Sequence, residues 1–552
     1  MGHRQAKTAG IKRWGILALL LCLAAAAAQT QQGAAPSASS LAVDGASPAA
    51  SHSTHHPKST ARITPEQAKQ LFALVDELIR FSSDDTGLPV KSTVKRQLTT
   101  QAAVESYLDE KLNEDEDAKR LQRDEVVLKK FGLLDRDFEL KPFLLALLKE
   151  QIEAYYDSKT KTVNLLDWVD PEEQKPVMAH ELTHALQDQH CDLEKWDDQT
   201  PIDVSHDAAG DEDHLARDEM DTARDAVAEG QATAVMMDYI LKPLGKSIVK
   251  DPEVLDEVRS QMNSSEDSPV MARAPLLLSE SMLFPYREGL SFEQDVWMDQ
   301  GQPAAFAGTL DRPPTSSWEI INPRMYEQKR IPAIPLLPDI HPLVDPLYTP
   351  YDIGQIGELD VHIITELLGG DDAANDLTPA WDGGLYWAGQ SRSAKTPAEL
   401  ASTKSIGLFY LSVWRNADSA EVFAKLYARN LGRKYSGVHL ETVSGPSDDG
   451  SVEQIYSTNE GPAAITTRGK MVFVTESFPL PLARNLASLI LDAQVGGATR
   501  FAGPPLPEAA PAARSVDGDR TPPAPLTASL VHFFEGCGVM KAAVDAVVRA
   551  GR

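Results

Sequence analysis

Two histidines four residues apart flank a glutamate in the segment AHELTHALQDQH, Ala179–His190; the three are His180, Glu181 and His184. On a helix, residues at this spacing share one face, one turn apart. Two imidazoles so placed can reach one Zn²⁺ at about 2.0–2.1 Å. Glu181 directly follows His180 and can reach a water on that ion without being a ligand itself. Zinc lowers the pKa of such a water to about 7, and a carboxylate there can take its proton. The HExxH pattern therefore predicts hydrolysis at one zinc per chain, with His180 and His184 as ligands and Glu181 as general base. The plainer alternative is a core helix carrying a satisfied histidine pair.

Zinc catalysis needs a third protein ligand and a fourth position left open. His190 lies six residues after His184, the spacing of HExxHxxGxxH, but Gln187 stands where that pattern has its helix-breaking glycine. An unbroken helix carries His190 away from the His180/His184 face. Glu229, in RDAVAEGQATAVMMDY, is the other candidate, a lone carboxylate among Ala223, Ala226, Val227, Ala232 and Val235. A buried, unpaired carboxylate is costly, so a metal or cationic partner is expected beside it. Gly230 would let that helix approach another closely. The expected ligand set is His180, His184 and Glu229, with a structural salt bridge as the alternative for Glu229. His206, His214 and the acidic run Asp211–Asp213 are weaker candidates, in what reads as a loop. Tyr286 or Arg287 would suit as an oxyanion stabiliser. Core packing is the alternative for Tyr286.

Local signals outline the elements that must hold these residues. Asp170, Pro171 and Glu173 form a capping pattern that opens the HExxH helix, with Pro176 as a point where it could restart. Thr64-Pro65 opens an earlier helix, and Lys159–Asp167 reads as a strand. A helix is expected from about Leu215 to Leu241, whereas 275–350 reads as Pro-rich and irregular with short helices. Beyond Tyr351, helices near Glu358–Leu368 and Ser419–Arg433 alternate with strands Ile406–Trp414, Val438–Val443, Val452–Ser457 and Lys470–Thr475, then the helix Leu480–Ala493. Gly369-Gly370 and Gly383-Gly384 read as turns.

HELTH followed by a helical Glu-Gly at Glu229 resembles the gluzincin group of zinc metallopeptidases, whose ligands are His, His and Glu. More narrowly, the chain is similar to a family of exported bacterial zincin-like proteins, mostly uncharacterised. The likeness lies in YYDSKTKTVNL (Tyr155–Leu165), AHELTHALQDQHCDL (Ala179–Leu193), LFPYREGLSF (Leu283–Phe292) and RPPTSSWEIINPRMY (Arg312–Tyr326). Weaker similarity follows in WDGGLYWAG and SVWRNADSAEVFAKLY. The resemblance implies zinc, Glu181 as general base, peptide hydrolysis, and a strand near Val163–Leu165 lying along the cleft to pair with an extended substrate. Two positions depart from the pattern. Thr233 stands where thermolysin-type enzymes place an Asp that orients a zinc histidine, and Asn322-Pro323 stands where the family has His-Pro.

The 552 residues carry a formal net charge of −28, which argues against nucleic acid or an anionic membrane surface as partner. His3, Arg4, Lys7, Lys12 and Arg13 precede an apolar run, Trp14–Leu23, and five alanines. This predicts a signal peptide, residues 1–28, and export to the periplasm or medium with no stable membrane span after cleavage. Cys191 and Cys537 then remain, as one disulfide or two thiols. The expected layout is a disordered linker at 29–60, a mainly helical zincin-like metallopeptidase domain at 61–350, a smaller α+β domain at 351–500, a Pro/Ala-rich linker at 501–526 and a C-terminal helix at 527–552. The fold class is α+β. Two functional readings follow: a secreted zinc peptidase acting on peptides or proteins, or a non-catalytic zincin scaffold in the envelope that binds through its C-terminal domain.

Overall fold

The computed structural model describes residues 62–494, apart from 107–115, 152–153, 198, 200–203 and 263–268. The expected signal peptide, both linkers, the closing helix and Cys537 lie outside the described residues. Among the described residues, no helix is long and apolar enough to cross a membrane.

The chain mixes helix and sheet. Its N-terminal part sets a three-stranded sheet beside helices. The first helix, α1 (Pro65–Thr86), starts as its sequence specifies: Thr64 accepts from the Gln67 N–H, Gln67 returns the bond, and Pro65 fills the first turn. Strands β1 (Lys95–Thr99), β2 (Ala154–Asp157) and β3 (Thr162–Leu166) form a sheet in the order β1-β3-β2. Strand β3 pairs in parallel with β1 and antiparallel with β2. It is therefore the central strand and has no free edge. The edges of the sheet belong to β1 and β2, so Val163–Leu165 offers no edge to an extended chain, which corrects that expectation.

Helices α2 (Glu116–Phe131) and α3 (Leu140–Gln151) precede the HExxH helix, α4 (Gln174–Cys191). Asp170 does not cap α4. Its carboxylate accepts the Glu172 N–H in a preceding turn, and the helix begins four residues later, with Pro176 in the first turn where no intrahelical N–H is lost. Gln174 fixes this start. Its side chain accepts the Leu166 N–H at 3.0 Å and donates to the Leu166 and Val169 carbonyls at 3.1 and 3.0 Å, tying the helix to the end of β3.

The run Asp211–Asp213 is helical rather than a loop, within α5 (Ala208–Arg217), and α6 (Met220–Leu241) follows. After α7 (Pro252–Met262), the segment expected to be irregular forms α8 (Leu276–Gln300), 25 residues long with Pro285 inside it. Helices α6 and α8 touch backbone to backbone. A Cβ on Gly230 would stand 2.3 Å from the Gly289 carbonyl carbon, and one on Gly289 would stand 2.1 Å from the Ala226 oxygen.

The C-terminal part is a seven-stranded antiparallel sheet, β4-β5-β6-β10-β9-β8-β7, from β4 (Tyr348–Gln355) to β10 (Met471–Glu476). The strands between are β5 (Trp381–Ser391), β6 (Ile406–Trp414), β7 (His439–Ser444), β8 (Val452–Thr458) and β9 (Gly461–Arg468). Gly383 sits at the β5 bulge with φ 133°, so the expected Gly383-Gly384 turn is a strand. Helices α9 (Glu358–Gly369), α10 (Ala417–Lys434) and α11 (Leu480–Ala493) flank the sheet. Tyr386, Leu408, Tyr410 and Val474 face the core shared with α10, whereas Trp387, Phe409, Leu411 and Phe473 face α11. Burial on both faces explains why β6 is apolar but for Ser412. The first of these cores also contains α1, α4, α6 and α8, so it runs across the 350/351 boundary.

Candidate metal centre

Helices α4 and α6 pack together and bring three ligand-type side chains to one point. His180 Nε2 lies 2.9 Å from His184 Nε2 and 3.0 Å from Glu229 Oε2, and His184 Nε2 lies 3.6 Å from Glu229 Oε1. All three donors lie within 4.8 Å of one another, and among the described residues this is the group of such residues able to hold a metal ion. Three donors at tetrahedral angles, each about 2.0–2.1 Å from an ion, would stand about 3.4 Å apart. The observed separations fit that cradle. His180 and Glu229 are each 1% exposed and His184 is 7%, so the centre is nearly enclosed.

The electrostatics are those of a buried, compensated cluster. Burial works against charge on His184, yet Glu229 and Glu181 override it and raise the imidazole to about 9. Burial alone would raise Glu229, but His184 and His180 pull it down to about 2. His180 is held below its ordinary value by burial, despite Glu229. Glu229 thus satisfies the expectation that a carboxylate on this apolar helix has a cationic or metal partner.

Glu181 is adjacent to the ligands but outside their group. Its Oε2 accepts the Tyr156 N–H of β2 at 2.8 Å. Burial pushes its carboxyl up to about 8, reinforced by Glu229 and eased by His184 and by the Tyr156 N–H. The tyrosine side chain continues along α4 and donates to Asp188 Oδ2 at 2.7 Å, where Lys161 also pairs at 2.7 Å. The edge strand is thereby fixed to the helix at two points two turns apart.

The remaining candidates lie elsewhere. His190 is partly exposed and pairs with Asp311 at 2.9 Å. His206 is exposed; His214 is buried 3.3 Å from Asp218, and Asp211 pairs with His341 at 3.2 Å. None of these joins the cluster. Tyr286 stacks on the His180 ring with centroids 6.5 Å apart, whereas Arg287 is engaged by Glu280 and Glu288. Asn322 is turned to Glu358 at 2.6 Å.

One partner was not anticipated. Gln187 Oε1 lies 2.8 Å from His184 Nδ1. The i, i+3 spacing on a helix places it there, although in the sequence Gln187 stands out only as the residue in place of a helix-breaking glycine. Cys191, a free thiol on the last turn, donates weakly to the Gln187 carbonyl at 3.3 Å. Searches of protein-family models, curated proteins and solved structures match nothing.

Proposed function

We propose that the chain is an exported, zincin-like zinc peptidase that hydrolyses peptide bonds in peptides or proteins. The carrying observation is Glu181, buried beside three converging ligand atoms and aimed by a backbone N–H. A site built only to hold metal has no use for this carboxylate. When bound, zinc supplies Lewis acidity and lowers the pKa of a water to about 7. His180, His184 and Glu229 would hold the ion. Glu181 takes the water's proton and delivers it to the leaving amine. Tyr156 keeps Glu181 oriented through both transfers. The β2 edge, rather than β3, is where an extended substrate backbone would lie. Tyr286, against His180, is the better placed of the two oxyanion candidates.

A second reading has an observation in its favour. The three ligands are almost wholly enclosed, as in a structural metal site, and this favours a non-catalytic scaffold that binds through the C-terminal sheet. Metal analysis and casein hydrolysis separate the two. The peptidase contains one zinc per chain, loses hydrolysis on chelation and regains it with zinc. Glu181→Gln keeps the zinc and loses roughly 10²–10⁴-fold in rate, the usual weight of a general base. A zinc-loaded wild type that cleaves nothing overturns the peptidase reading. Loss of zinc in Glu181→Gln overturns the role given to Glu181.

A further inference from the structure

Behind His184 runs a line of buried amides that belongs to neither ligand nor base. Gln187 and Gln231 are both fully buried. Gln187 Nε2 donates to the Ala228 carbonyl at 2.9 Å and to Gln231 Oε1 at 2.9 Å. Gln231 Nε2 in turn donates to the Ala305 and Phe306 carbonyls at 3.1 and 3.0 Å and to Thr309 Oγ1 at 2.8 Å. Those two carbonyls lie in a single π-helical turn, Ala304–Gly308. Such a turn shifts the usual bonding and leaves carbonyls to be met by other donors.

The two amides have only one consistent orientation. A backbone carbonyl can only accept, so the atom of Gln231 facing Ala305 and Phe306 is its NH₂. Its oxygen then faces Gln187 and can only accept from it. Ala228 independently requires the NH₂ of Gln187 on the same side. The remaining Gln187 atom, at 2.8 Å from His184, is therefore an oxygen. It accepts a hydrogen bond only if His184 carries a proton on Nδ1. Nε2, the nitrogen facing His180 and Glu229, is then the one that would bind a metal.

We infer that Gln231 is a positioning residue for the metal centre: anchored by the π-turn carbonyls of Ala305 and Phe306, it orients Gln187 and thereby fixes His184 with Nδ1 protonated and Nε2 directed at the ion. Gln231 touches neither the ligands nor the metal. A neutral amide also leaves His184 a weaker donor to the metal than a carboxylate partner would, because it does not push charge onto the ring.

The inference rests on zinc occupying the cluster, and the test keeps the two claims apart. The first measurement uses the wild-type, zinc-loaded protein, with ¹H–¹⁵N NMR of the histidine rings. The relay predicts a slowly exchanging proton on His184 Nδ1 and metal on Nε2. Metal on Nδ1, or a rapidly exchanging Nδ1 proton, overturns it without any variant. The second measurement is zinc affinity by chelator competition in Gln231→Leu. A fall of roughly 10–100-fold, the usual effect of losing such a partner, with faster exchange of the Nδ1 proton, supports the relay. Unchanged affinity and exchange overturn it while the zinc reading stands. A wild type that binds no zinc overturns the underlying reading instead.

Discussion

At the scale of single residues, the chemistry turns on which carboxylate does what. Glu181 and Glu229 are both buried within reach of the histidines, yet only Glu229 lies among the ligand atoms. Glu229→Ala is expected to lower zinc occupancy sharply, whereas His190→Ala, whose ring pairs with Asp311 away from the cluster, leaves it nearly unchanged. Metal analysis of both purified variants checks this. Zinc lost in His190→Ala and kept in Glu229→Ala would defeat the ligand set. The geometry of these residues was legible in the sequence because it follows from helix periodicity and from the cost of a lone carboxylate among alanines. Gln187 and Tyr156 were not. The first has an obvious spacing but an amide has no need of a partner as a charge does. The second acts through its backbone N–H, which no side-chain pattern records.

At the scale of elements, the centre depends on how closely α6 is pressed. Gly230, next to Glu229, lets α6 meet Gly289 of α8 backbone to backbone. Gly230→Ala would gain helix propensity of about 1 kcal/mol on an exposed helix. Here the new methyl would lie 2.3 Å from main chain that has no rotamer to change, and overpacking costs about 1–3 kcal/mol. The variant should melt at lower temperature than the parent and bind zinc more weakly, since Glu229 moves with the helix. A melting point at or above the parent's would contradict the close approach. Gly230 was readable as a contact glycine, but its partner was not, because α8 contains Pro285 and follows Pro275 and so read as broken. Tertiary packing overrides that local signal. The same holds for β5, where a Gly-Gly pair is a bulge inside a strand. Strands β6 and β10 were legible as nearly continuous apolar runs, and helices α10 and α11 by apolar residues at helical spacing.

At the scale of the whole molecule, the two halves share more than a linker. Lys130 of α2 is fully buried and reaches Glu460, in the turn between β8 and β9, at 2.8 Å and Ser477, just past β10, at 2.6 Å. The Gln355 N–H of β4 meets Asp218 at 2.6 Å, at the mouth of α6. These ties between distant stretches of sequence carry no periodic signature, so the sequence suggested a boundary where the fold has a continuous core. The enclosure of His180, His184 and Glu229 in that core has a temporal side. An ion held by α4 and α6 together can leave only when the two helices part. Its escape is then timed by a breathing motion of the protein, not by collision with whatever would capture it. A colour-forming chelator in increasing excess should strip zinc at a rate that levels off at one ceiling. The ceiling should rise in Gly230→Ala, whose added methyl unseats α6 from α8 and so loosens the helix that carries Glu229. A rate that climbs in proportion to chelator would mean the ion lies open to the solvent. If the ceiling holds, the protein keeps the metal it acquired while folding through passages where free zinc is scarce.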